Sequence, residues 1–186
     1  MVVRPGPCDC GVTVLLTGLP SAGKSTIADL VAERLRDDGY RVEVLDGDAM
    51  RKTLSAGLGF SREDRYENVQ RIGLMAKVLA RNGVIVLVPV VAPYADSRDA
   101  VRQRHVKSGT HFLEVHVATP VEVCAQRDVK GLYAKRRAGE LKGLTGVDDP
   151  YETPGEPDLV IPADRQSAVE SASALMGLFI EKRFVA

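Results

Sequence analysis

The sequence predicts an α/β fold: a mainly parallel sheet of five strands, flanked by helices in three layers. Three observations carry that expectation. Short β-type runs alternate with helical patterns along the chain, the mark of βαβ units. Residues 84–90 form a continuously apolar run, as a central parallel strand buried on both faces requires. A glycine-rich turn separates the first strand-like run from the first helix, at the strand end where open α/β sheets bind ligands.

The elements follow in order. Residues 12–17 are a compact apolar run and read as the first strand. Residues 25–36 read as a helix with Ile27, Leu30, Val31 and Leu35 on one face, ended by Gly39. Residues 41–46 read as the second strand and 49–55 as a short helix. Ser61 caps a long helix, with Asp64 as a weak form of the capping box. Its core face is expected at Val69, Ile72, Met75 and Leu79, and Asn82-Gly83 stops it. Residues 96–108 read as a helix, 112–118 as a strand, and Pro120 opens a further helix. Residues 159–161 are the last strand. The last helix spans 165–182, with Ala168, Ala172, Leu175 and Phe179 inward. Crossovers between such strands are right-handed.

A chain of 186 residues suits one domain and is thin for two. Residues 1–11 are expected to be a flexible N-terminal segment and 12–186 a single domain. Hydrophobic residues make up 45% and charged residues 27%, enough to bury a real core. No apolar run approaches the ~20 residues of a membrane span. Residues 1–11 lack the charged start and long apolar stretch of a secretory leader, so the chain reads as cytoplasmic. The formal net charge is zero, which argues against a broad basic surface for nucleic acid. Positive charge is local, at Lys130, Lys135, Arg136, Arg137 and Lys142: either a solvated face or a lid over anionic ligands. Cys8, Cys10 and Cys124 make no disulfide framework, and no second ligand pair follows Cys8 and Cys10 at zinc spacing. Cys124 is expected to pack as a small hydrophobe.

Gly18-Leu19-Pro20-Ser21-Ala22-Gly23-Lys24-Ser25 fits the phosphate-loop pattern at every fixed position. Glycines let successive N–H groups curl around one phosphate chain, and the helix that follows adds its positive dipole end. Lys24 is placed to reach the β- and γ-phosphates, and the Ser25 hydroxyl to ligate Mg²⁺. No Asn-Lys-x-Asp guanine signature is present, which favours ATP. The fold is therefore expected to be a P-loop NTPase sheet. Asp46-Gly47-Asp48 stands at the end of the second strand, where a γ-phosphate should sit. One carboxylate could hold a Mg²⁺-bound water and the other take the proton of an attacking hydroxyl. The competing reading is a polar turn with a helix cap.

Asp46-Gly47-Asp48 with Arg51, Leu58-Gly59-Phe60-Ser61, Asp64-Arg65 and Glu67-Asn68 resembles the adenylyl-sulfate kinase family. The resemblance continues through Ala92-Pro93-Tyr94, Glu122-Val123-Cys124, Arg127-Asp128 and Lys130-Gly131-Leu132-Tyr133. Arg137-Ala138-Gly139, Lys142-Gly143, Thr145-Gly146 and Asp148-Asp149-Pro150-Tyr151-Glu152 complete it, so it spans residues 12 to about 162. It implies transfer of the ATP γ-phosphate to the 3′-hydroxyl of adenylyl sulfate, giving 3′-phosphoadenylyl sulfate in sulfate activation. It implies catalytic roles for Lys24, Asp46 and Asp48, and Mg²⁺ at Ser25 and Asp46. ATP would lie on Gly18, Ser21, Ala22, Gly23, Lys24, Ser25 and Thr26, with Arg127 over its base. Adenylyl sulfate would meet Asp48, Arg51, Phe60, Arg65, Asn68 and Val91, and also Lys130, Leu132 and Leu144. Residues 128–148 would form a mobile lid with hinges at Gly139 and Gly143. A homodimer and a functional link to ATP sulfurylase are implied in the same way.

Arg65 and Asn68 stand three apart on one helix and so share a face, as the resemblance needs. Paired arginines suit a substrate carrying phosphate and sulfate. An aromatic ring at Phe60 suits an adenine plane, against the plainer alternative of core packing. Three positions depart from the family pattern: Ala49 in place of Asn, Ala92 in place of Ser, and Leu144 in place of Phe. They leave two alternatives open beside the first reading. One is a related kinase with a different nucleotide or metabolite hydroxyl as acceptor. The other is a nucleotide-binding regulatory partner, against which the intact Lys24, Ser25, Asp46 and Asp48 argue.

Overall fold

The computed structural model describes residues 11–185. In chain order the elements are β1 Val12–Thr17, α1 Lys24–Asp37, β2 Val42–Val44, α2 Gly47–Lys52, α3 Arg62–Arg81 and β3 Ile85–Pro89. There follow α4 Ala95–Lys107, β4 His111–Val117, α5 Val121–Arg127, α6 Leu132–Arg137, β5 Leu159–Ile161 and α7 Ala168–Glu181. The strands form one sheet in the order β2-β3-β1-β4-β5, and every neighbouring pair is parallel.

Strand alternation divides the core into two layers. From β1, Val12, Val14 and Leu16 enter one cluster with Ile27, Val31 and Leu35 of α1 and Leu175 and Phe179 of α7. Leu15 enters the other, with Val69, Ile72 and Ala76 of α3 and Val101 of α4. In β3, Ile85 and Leu87 belong to the first layer and Val86 and Val88 to the second. A strand buried on both faces has no room for a polar face, which is why residues 84–90 read as continuously apolar. The strand order changes direction at β1, so the turn after it opens into the crevice where α/β sheets bind ligands.

The five strands and the long helices stand where the sequence puts them, with differences at several ends. β2 ends at Val44 because Asp46 turns out of the sheet and caps α2, accepting from the N–H groups of Asp48 and Ala49. That cap starts α2 at Gly47, two residues ahead of the expected 49–55 helix. Ser61 caps α3 as expected, its oxygen accepting from the Asp64 N–H. The buried stripe of α3 runs through Val69, Ile72, Ala76 and Ala80, leaving Met75 and Leu79 half-buried. The last helix begins at Ala168 because Ser167 and Glu170 form a reciprocal capping box. α6 is a short helix inside the segment expected as a lid, its first turn held by the Asp128 carboxylate.

Gly11, assigned from sequence to the N-terminal segment, is buried and donates its N–H to the Ala80 carbonyl at 2.8 Å. The rest of that segment, with Cys8 and Cys10, lies outside the described residues. Cys124 is buried in the first layer as a free thiol. Among the described residues no helix is long and apolar enough to cross a membrane.

α3 and α4 meet at Gly73. A Cβ there would lie 2.6 Å from Val101 Cγ2, so the close approach admits no side chain. Gly73→Ala is expected to destabilise the protein by about 1–3 kcal/mol, despite alanine's better helix propensity. Val101→Ala in the same chain should restore part of the loss. A melting temperature raised by Gly73→Ala alone would show that the contact is loose.

Candidate active site

The turn after β1 is built around its own lysine. Gly23 takes a left-handed conformation (φ 105°) and hands the chain into α1. Lys24 opens that helix and folds back over the turn, donating to the carbonyls of Gly18 at 3.0 Å and Leu19 at 2.7 Å. Burial, above all other causes, pulls its ammonium from 10.5 down to about 8, and the nearby charge of Lys130 acts the same way. The Asp46 and Asp48 carboxylates oppose that shift.

One residue further on, Ser25 Oγ donates to Asp46 Oδ2 at 2.9 Å. The other carboxylate oxygen, Oδ1, accepts from the N–H of Asp48 at 3.0 Å and of Ala49 at 3.4 Å. Asp46 therefore caps α2, as the plainer sequence reading has it, and its other oxygen faces the phosphate turn. Asp48 points its carboxylate at the Lys130 ammonium, which reaches over from the segment between α5 and α6. Among the described residues no group of three or more His, Cys, Asp and Glu side chains gathers as a metal cage. Ser25 and Asp46 offer two protein oxygens, the donor set of a hard cation that takes its remaining ligands from phosphate and water.

A second wall comes from α2, α3 and the loop between them. Phe60 is 62% exposed, which removes core packing as its explanation. The Arg51 guanidinium lies 4.5 Å from its ring centre and that of Arg65 5.6 Å. Burial and the neighbouring Arg65 charge push the Arg51 guanidinium below its usual range. Arg65 is buried and fully engaged, donating to Phe60 O, Thr145 Oγ1 and Gly143 O at 2.8, 2.7 and 2.6 Å. Asp149 pairs with it at 3.2 Å. Asn68 is buried on the same helix, yet its Oδ1 has no partner among the described residues, and the Ser21 hydroxyl is in the same position. A buried polar atom without a partner is costly in a folded protein, so these two ask for a ligand.

These walls enclose one cavity of about 680 Å³. Every residue that the resemblance assigns to ATP, Mg²⁺ or adenylyl sulfate lines it except Gly18, whose carbonyl accepts from Lys24. Arg127 stands at the end lined by Ala163 and Gln166, donating to Ala22 O at 3.3 Å and Ala163 O at 2.6 Å. Leu144 is buried in the wall at 5% exposure. Sequence reasoning missed the residues that hold these walls from behind. Tyr133 donates its hydroxyl to Pro20 O at 3.1 Å, and burial pushes that phenol far up. Thr17 Oγ1 donates to Val91 O at 2.5 Å and lies 3.0 Å from the Tyr151 hydroxyl. Thr17 directly precedes the glycine turn, the one signal that could have marked it.

Comparisons with known proteins agree with one another. A family model described as adenylylsulphate kinase matches residues 10–162. The chain is 50% identical over 175 residues to a probable adenylyl-sulfate kinase of Synechocystis, across 94% of this chain and 97% of that one. An APS kinase of Mycobacterium tuberculosis, solved in complex with AMPPNP and APS, superposes with a TM-score of 0.89 at 45% identity. That match covers 92% of this chain and 99% of the other. A hexameric APS kinase from Thiobacillus denitrificans gives a TM-score of 0.72 at 30% identity, over 96% of this chain and 30% of that one.

The buried Lys24 makes stability depend on pH. Its folded value of about 8 lies below 10.5, so between the two the unfolded chain binds more protons. The burden of burying its charge is therefore complete below about pH 8 and lifts as pH rises towards 10.5. Lys24→Met removes it, and should stabilise the empty protein at pH 7 by up to roughly 3 kcal/mol. Thermal melts should show the gap to wild type narrowing from pH 8 to 10.5. A gap constant across that range contradicts the buried, charged lysine.

Proposed function

The chain belongs to the adenylylsulphate kinase family, and on that footing we propose that it transfers the γ-phosphate of ATP to the 3′-hydroxyl of adenylyl sulfate. The product is 3′-phosphoadenylyl sulfate. The observation that carries this reading is the junction of the phosphate turn with the acidic pair: Ser25 bonded to Asp46, with Lys24 and Asp48 on the same cavity.

The residues divide the work. The turn 18–25 and Lys24 hold the phosphate chain of ATP, and Ser21 gains a partner for its buried hydroxyl. Ser25 and Asp46 would hold Mg²⁺, which would supply positive charge against the negative charge that develops on the phosphates during transfer. Arg127 lies over the ATP base. Across the cavity Phe60 and Leu144 take the acceptor's adenine between them, and Arg51, Arg65, Val91 and Leu132 frame its phosphosulfate and ribose. Asn68 Oδ1 accepts from a ribose hydroxyl. Asp48 takes the proton of the 3′-hydroxyl as its oxygen bonds to the γ-phosphorus, and the bond to the β-phosphate breaks to release ADP. Positioning and charge stabilisation supply the rate.

Residues 128–148 act as a lid in this reading. Lys130, which pairs with Asp48, moves to the anionic ligands and frees that carboxylate for catalysis. Gly139 and Gly143, both at positive φ, are the hinges. The family likeness further supports a cytoplasmic homodimer, working after an ATP sulfurylase that makes its acceptor.

A second reading keeps the chemistry and changes the acceptor. Its support is the make-up of the site: in the cavity wall Leu144 gives no ring to stack opposite Phe60 and Ala92 gives no polar side chain, and Ala49, next to Asp48 in the chain, gives none either.

Purified protein with γ-labelled ATP, Mg²⁺ and adenylyl sulfate should yield labelled 3′-phosphoadenylyl sulfate. Asp48→Asn should lower kcat about 10²–10⁴-fold with ATP still bound. No transfer to adenylyl sulfate by a protein that binds ATP would remove the first reading. Leu144→Phe should lower the KM for adenylyl sulfate several-fold, from stacking worth roughly 0.5–1.5 kcal/mol; an unchanged KM favours the second. Hydrogen exchange across 128–148 should slow when both substrates bind, and unchanged exchange would end the lid.

A further inference from the structure

Arg98 does not line the cavity, yet it holds two of its walls. It sits in the first turn of α4 at 2% exposure. Its three nitrogens reach three separate stretches of chain. Nε donates to Glu114 Oε1 of β4 at 2.6 Å, Nη1 to the Ala92 carbonyl at 2.8 Å, and Nη2 to the Glu152 carbonyl at 2.7 Å.

The two carbonyls belong to two stretches of chain that both reach the cavity. Ala92 follows β3 and lines the cavity beside Val91. Glu152 ends the stretch that carries Gly143, Leu144 and Thr145, which also line it. The same two stretches meet again where Glu152 N–H donates to Pro93 O at 2.8 Å and Ala95 N–H to Glu152 Oε2 at 2.7 Å. Ala92 is held at φ 42°, a left-handed conformation that a residue with a side chain rarely adopts. Such a conformation persists only when its surroundings over-determine it. The donors on its carbonyl are Arg98 Nη1 and, at 3.4 Å, Thr17 Oγ1.

The chemistry of the pair points the same way. An ion pair this buried adds little net stability, because desolvation of both charges offsets their attraction. A hydrophobic pair could fill the same space. What an apolar side chain or a lysine cannot supply is a rigid fork with donors aimed at a carboxylate and two carbonyls at once. Glu114 is itself anchored, its second oxygen accepting from Arg102 Nη2 at 2.8 Å.

We propose that Arg98 is a positioning residue for the acceptor: it fixes the spacing between the loop at 90–94 and the stretch 143–152, and so the width of the slot for adenylyl sulfate. This rests on the adenylyl-sulfate kinase reading. The groups that hold the ATP phosphates, on the turn 18–25, receive none of its bonds.

The test is steady-state kinetics with each substrate varied in turn, alongside thermal melts. Arg98→Lys keeps the charge and loses the fork. Arg98→Met with Glu114→Leu leaves no unpaired buried charge at this pair and keeps the space filled, so it decides the matter if the lysine variant fails to fold. In a folded variant the KM for adenylyl sulfate should rise about tenfold or more, while that for ATP stays within about twofold. A merely structural role would lower the active fraction and leave both KM values in place. An acceptor KM within about twofold of wild type, or both KM values rising together, overturns the proposal. A wild-type protein inactive on adenylyl sulfate overturns the functional reading, and this inference with it.

Discussion

The hydrogen bond between Ser25 and Asp46 joins two parts of the chain on which the rest of the site depends. Ser25 belongs to the helix that leaves the first strand, and Asp46 to the end of the second, two places away in the sheet. The same carboxylate starts α2, and α2 carries Asp48 and Arg51. Moving Asp46 would therefore displace Asp48 and Arg51 together and part them from Ser25. One side chain ties the phosphate turn to the wall that carries Asp48 and Arg51.

Three charged groups of the cavity rest on partners within the chain. Lys24 rests on two carbonyls of its own turn, Lys130 on Asp48, and Arg65 on Gly143, Thr145 and Asp149. Ligand binding is then an exchange of partners, with a smaller net gain than the count of new contacts implies. Asn68 and Ser21 are different, because their buried oxygens have no partner to give up among the described residues. The cavity thus combines preformed polar gaps with charges that must be released from internal bonds. The buried charges behind the wall, Arg98 and Glu114, have their partners within the chain and face no such exchange.

Much of this was legible in the sequence, for identifiable reasons. Parallel strands buried on both faces leave apolar runs, and the phosphate turn needs glycine and lysine at fixed spacing, so the sheet and the nucleotide end were readable. The second wall of the cavity was readable through family resemblance, on residues such as Arg65 and Asn68 that share a helix face. Three kinds of feature were not. The start of α2 depended on whether Asp46 served the strand or the cap, and it left the strand to cap the helix. The face of α3 turned by one position because Gly73 brings α4 close, and Ala76 and Ala80 fit that approach better than Met75 and Leu79. The support given by Thr17, Arg98 and Tyr133 joins residues far apart in sequence through carbonyl groups, and backbone acceptors carry no residue signature. The box of Ser167 and Glu170 was present in the sequence as a known pattern and marks the helix start that the broader periodicity blurred.

The most direct measurement is a crystal structure with a non-hydrolysable ATP analogue, Mg²⁺ and adenylyl sulfate bound together. The account predicts the terminal phosphate against Lys24 Nζ, the cation on Ser25 Oγ with Asp46 beside it, and the acceptor 3′-oxygen on the order of 3 Å from an Asp48 oxygen. A nucleotide whose terminal phosphate lies elsewhere, with both aspartates out of reach of cation and hydroxyl, would contradict it.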